Sequence, residues 1–134
     1  MGTGSGVAIS GFVVEGSESA TLLIRGIGPA LGGFGLTGTL AQPTITLDDS
    51  GGSTIVSNTG WGSAPVSGTS TVAATYRPAT AADMSAVGAF ALAAGSADSA
   101  IVVTLPPGSY TAILSGTGQG TGTALAEVYE ISGP

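Results

Sequence analysis

Ten side chains carry all the formal charge of this sequence, and they define the chemistry it can attempt. Eight are carboxylates: Glu15, Glu18, Asp48, Asp49, Asp83, Asp98, Glu127 and Glu130. The other two are the guanidiniums of Arg25 and Arg77. With no His, Cys or Lys, the Ser–His, Cys–His, Ser–Lys and His/Cys-zinc arrangements are all excluded. A pair of carboxylates, the apparatus of glycoside hydrolysis, is what remains for acid–base work. Asp48 with Asp49, or Glu127 with Glu130, are the candidates by proximity. The first pair sits in Asp48-Asp49-Ser50-Gly51, where Asp is common for turn geometry alone. The expectation is therefore a protein that is not an enzyme, with no catalytic residues.

Binding chemistry offers three further readings. Asp48 and Asp49, joined by Asn58, form a candidate weak calcium site, because carboxylate and carbonyl oxygens suit a hard cation. The stretch lacks the alternating Asp spacing and bidentate Glu of a dedicated calcium loop, so an ordinary Asp-Gly turn is preferred and no cofactor is expected. Trp61 and Tyr76 are candidate glycan-binding aromatics, in the least regular part of the chain. The competing reading closes one end of a β-sandwich with a buried Trp61. Arg25 and Glu127 each sit inside an apolar strand, where an unpaired charge is costly. They are expected to meet as a structural salt bridge, in bidentate form.

These residues need a scaffold, and composition bounds it. The chain has 134 residues, enough for one domain (1–134) with its own core. Only 7% of residues are charged, against about 25% in ordinary soluble domains. Sixteen Ser and seventeen Thr supply the polar surface instead. Two basic residues and a net charge of −6 exclude phosphate-backbone binding and attraction to anionic membranes. No apolar run approaches the ~20 residues of a membrane helix.

Short runs rich in β-branched residues, ended by Gly, Pro and Asp-Gly signals, predict antiparallel strands. They fall at 6–15, 20–26, 44–48, 54–58, 72–76, 89–92, 99–105, 109–115 and 123–132. Residues 27–40 read as a shaped loop whose Leu31 and Phe34 plug the core. Residues 78–86 are the single helical candidate, with Thr80 as N-cap and Asp83 at the third position. Tyr110, after Pro-Pro-Gly, reads as a corner tyrosine. Eight or nine strands and one short helix make an all-β antiparallel sandwich of jelly-roll or Greek-key type.

Several strings occur in order: LLIRGIGPAL (22–31), FGLTGTLAQPTITLDDSGG (34–52), VSNTGW (56–61), VGAFAL (87–92), SADSAIVVTLPPGSYTAIL (96–114) and TGTALAEVYEI (121–131). Together they resemble a β-sandwich module found, often in tandem, in very large secreted and surface proteins of bacteria. The resemblance covers nearly the whole chain. It implies a non-catalytic extracellular or cell-surface module for a stalk, adhesion or matrix role. The low surface charge, the family's tandem habit and the missing first strand add the expectation that it self-associates into a fibre or surface assembly, by strand addition between subunits. A carbohydrate-binding or adhesion module using exposed aromatics is the alternative. This chain departs from the family pattern in lacking an apolar-Ser-Thr-Arg strand before Gly2-Thr3-Gly4, and the expectation is either a trimmed module or a sheet edge that something else must cover. It also has Thr59-Gly60 where the family places acidic residues, which weakens a calcium site carried over by analogy.

Overall fold

The structure is a computed structural model describing residues 8–35, 37–116 and 124–132. Nine strands form two antiparallel sheets: β1 (Ala8–Val14), β2 (Ala20–Ile27), β3 (Pro43–Asp48), β4 (Thr54–Thr59), β5 (Val66–Ser67), β6 (Thr75–Pro78), β7 (Ser99–Leu105), β8 (Gly108–Gly116) and β9 (Leu125–Ser132). The first sheet has the order β1-β8-β3-β4-β5 and the second β6-β7-β2-β9. β1 pairs with β8 while β2 pairs with β7, so a two-stranded ribbon is rolled across both sheets. That winding gives the sandwich its jelly-roll character.

The two sheets are buried differently, and the strand sequences show why. β3 alternates buried and half-buried residues, as PTITLD predicts for a sheet covered on one face. β2 and β7 are buried almost continuously, so the second sheet is covered on both faces. Its inner face joins Ile24, Ile101 and Val103 to Ile45, Leu47 and Leu114 of the first sheet. Its outer face carries Leu23, Ile27 and Val102 under Leu31, Met84 and Leu92. Each fully buried Leu or Ile contributes about 1.5–3 kcal/mol relative to exposure.

The outer cover consists of a 3-10 helix (Pro29–Phe34), helix α1 (Ala81–Ala86) and the irregular segment 87–97. Residues 89–92 therefore form part of this cover and not the expected strand. Leu92 is buried beneath it, and turns at Gly88 and Gly95, both at positive φ, bracket the segment. In the 3-10 helix Leu31 is buried as expected, whereas Phe34 is 63% exposed and leans edge-on against Phe90 at 5.0 Å. The strand expected at 72–76 lies at Thr75–Pro78, and β5 is an additional short edge. Helix α1 begins with the expected capping box: Asp83 N donates to Thr80 Oγ1 while Thr80 N donates to Asp83 Oδ2.

Candidate functional site

Arg25 lies in β2 directly across from Glu127 of β9, on the covered outer face of the second sheet. The register follows from two apolar strands whose outward positions coincide. Arg25 is completely buried. Its Nε donates to Glu127 Oε1 at 2.8 Å, and Nη1 donates to the Phe90 carbonyl at 2.6 Å. Nη2 also lies 2.7 Å from Oε1, but makes no well-directed hydrogen bond. Tyr129 occupies the second carboxylate oxygen by donating its hydroxyl to Oε2 at 2.9 Å. The expected bidentate pair is thus replaced by two nitrogens converging on one oxygen. Phe90 stacks over the guanidinium at 4.4 Å. Burial, followed by the neighbouring carboxylate, raises the Tyr129 phenol above its usual range. The groups use one another, which makes this cluster a structural clasp between β2, β9 and the cover.

Asp98, a residue the sequence does not single out, is completely buried like Arg25. Its Oδ1 accepts hydrogen bonds from Gly28 N at 2.7 Å and Ala30 N at 3.1 Å, while Oδ2 accepts from Ser96 Oγ at 2.8 Å. The carboxylate thereby holds the start of the 3-10 helix. A Cβ at Gly28 would lie 2.1 Å from the Leu40 carbonyl oxygen, so only glycine fits there. The local signal in sequence is Ser96-x-Asp98 before β7, a common Asx or ST turn pattern that does not reveal a distant partner.

The candidate calcium ligands do not form one site. Asp49 holds its own turn, accepting from Gly51 N, Ser53 N and Ser70 Oγ. These hydrogen bonds, that from Ser70 foremost, hold its carboxyl below the usual range. Asp48 accepts from Thr54 Oγ1. Asn58 lies at the other end of the β3–β4 hairpin, buried between the sheets, where it accepts from Ala100 N and donates to the Ser63 carbonyl. Among the described residues no group of three metal-binding side chains occurs. The Glu127/Glu130 carboxylates fall on opposite faces of β9, as strand alternation requires for residues three apart.

The candidate glycan aromatics are also separated. Trp61 packs against the outer cluster, with its indole N–H donated to the Ala93 carbonyl at 2.9 Å. Tyr76 packs against the inner cluster, and its hydroxyl meets that of Ser67. The two rings therefore serve opposite faces of the second sheet and do not present a shared platform. Tyr110 takes the expected corner position, donating to the Pro106 carbonyl at 2.6 Å. Among the described residues no helix is long and apolar enough to cross a membrane.

The surface features left for recognition are the sheet edges. An unpaired edge exposes N–H and C=O groups, and proteins commonly protect such edges with charge, proline or shortness. β5 has two residues, and β6 carries Arg77 and Pro78. β9 carries Glu127 and Glu130. β1, AISGFVV, has seven residues with neither charge nor proline, and its Val13 is 60% exposed. β1 and β9 face each other across one open seam, which holds a hollow of about 260 Å³ lined by Val13, Val14, Glu15, Ala20 and Glu130. The opposite seam is laced by the Ser67–Tyr76 contact between β5 and β6. Comparison of the chain with protein-family models, curated proteins and solved structures finds no match.

Proposed function

We propose that the chain is a non-catalytic extracellular module of a bacterial surface or matrix protein, and that copies associate edge to edge into a fibre or layered assembly. The observation that carries this reading is the uncharged seven-residue edge of β1, with Val13 exposed. Two copies of a chain with net charge −6 repel one another, so an uncharged edge is the favourable place for them to meet. The far edge of the same sheet is also uncharged at β5, where Val66 is 62% exposed. Joining β1 of one copy to the β5 edge of the next is a head-to-tail contact that need not close on itself. Main-chain hydrogen bonds supply the cohesion of such strand addition. The Ser/Thr-rich, charge-poor composition and the resemblance to tandem surface modules support the extracellular assignment.

Light scattering with negative-stain microscopy on the purified chain tests the reading. Filaments or discrete oligomers are expected, and Val13→Lys should return the protein to monomer with its unfolding curve preserved. A wild-type chain that stays monomeric at high concentration would overturn it.

A further inference from the structure

The seam between β1 and β9 is unfinished on the β9 side. Alternation along β9 turns Ala126, Val128 and Glu130 toward the core, yet no residue from 125 to 131 is buried. Ala126 and Val128 pack against the inner cluster and remain half-exposed, as does Phe12 on the facing strand. Among the described residues the second sheet has four strands against five in the first, and β9 is its end. An added strand here would hydrogen-bond to the free side of β9 and cover these apolar side chains.

The charges at the seam restrict which strand can enter. Glu130 projects on the core-facing side of β9, and Glu15 lies beside it in the lining of the same hollow. Among the described residues neither carboxylate is in an ion pair. A second copy brings no free guanidinium to meet them. Its Arg25 is buried on Glu127, and its Arg77 is held by both oxygens of Asp83. The sequence has no lysine.

We infer that the free edge of β9 accepts an extended strand from a different polypeptide segment, one that carries an arginine or lysine among its core-facing apolar residues. Glu130 and Glu15 then act as a filter. An uncharged or acidic strand would confine carboxylates beside apolar surface without compensation, whereas a basic one pairs with them. This acceptor is distinct from the uncharged β1 edge through which copies of the chain are proposed to meet.

The probe is an N-acetylated octapeptide alternating valine and threonine, with one arginine in the valine register. The control peptide has glutamine in place of arginine. Binding is read by fluorescence anisotropy and located by hydrogen-exchange mass spectrometry, both of which work whether or not the protein self-assembles. The arginine peptide is expected to bind and to slow exchange across 125–131. Glu130→Gln, at an exposed side chain, should weaken it about fivefold without altering the unfolding curve. Added salt should weaken it as well. Equal binding of the two peptides, protection at β1 in place of β9, indifference to Glu130→Gln, or no binding by the arginine peptide would each overturn the inference.

Discussion

Arg25 and Glu127 stand opposite each other on β2 and β9, and the guanidinium is completely buried while the carboxylate keeps 16% of its side-chain exposure. The same guanidinium also holds the Phe90 carbonyl, so one residue ties together two strands and the cover above them.

Removing either partner should therefore be costly. Arg25→Ala and Glu127→Ala are each expected to destabilise by about 3–5 kcal/mol, because a charge or carbonyl is left without compensation. The double replacement Arg25→Met with Glu127→Leu should recover much of the loss, since no stranded charge remains. Denaturant titrations check this. Single-variant losses under about 1 kcal/mol would show that the clasp contributes nothing.

Asp98 satisfies two backbone N–H groups at the start of the 3-10 helix. Asp98→Ala should cost about 3 kcal/mol by leaving them unsatisfied. Asp98→Asn, which keeps an acceptor oxygen, should cost clearly less. Equal losses for the two variants would contradict the capping role.

Gly28 and Gly33 make a matched pair of substitutions. A methyl at Gly28 meets the Leu40 carbonyl oxygen, a backbone atom that cannot swing away, whereas one at Gly33 meets nothing within 4 Å. Gly28→Ala should sharply reduce the yield of folded protein or its melting temperature. Gly33→Ala should stay within about 0.5 kcal/mol of wild type. Similar melting temperatures for both would refute the steric account.

Asp83 provides a pH signature. The Arg77 guanidinium, with help from Thr80, lowers its carboxyl from 3.8 to about 2. A carboxyl depressed in the folded state stabilises it above its unfolded pKa, and that contribution disappears as pH falls through the folded value. Stability from this group should be constant above about pH 5 and should decline between pH 4 and 2. Asp83→Asn should lower stability at neutral pH and flatten that acid limb. An unchanged acid limb in the variant would exclude Asp83 as its source.

Local signals carried much of this architecture. β7 occupies 99–105 as expected because SAIVVTL is bounded by turns and has no helical period. The capping box at Thr80 and Asp83 follows from residue types three positions apart. The Arg25–Glu127 meeting follows from the cost of burying either charge alone. What sequence could not reveal depends on sheet order. Residues 89–92 look like a strand because they are apolar, and become cover because β2 and β7 already have neighbours on both sides. Asp98 looks like a turn residue until Gly28, seventy positions earlier, is brought beside it. The charges on β9 and the bareness of β1 likewise become visible only once those strands are known to be edges.

The pairing of β1 and β9 with their neighbours also governs how the fold would respond to tension. Ala8 pairs with Leu114 and Val14 with Gly108, while Ala20 pairs with Leu105 and Thr21 with Ser132. Ala8 and Ser132 consequently lie at opposite poles of the seam. A pull between them runs along both strands, across ladders whose hydrogen bonds lie perpendicular to it. The bonds of β1 to β8 and of β9 to β2 would then be sheared together and not unzipped in turn. Such a body resists extension along its length and yields readily to a pull across its edge, a mechanical polarity that suits one link in a chain of links.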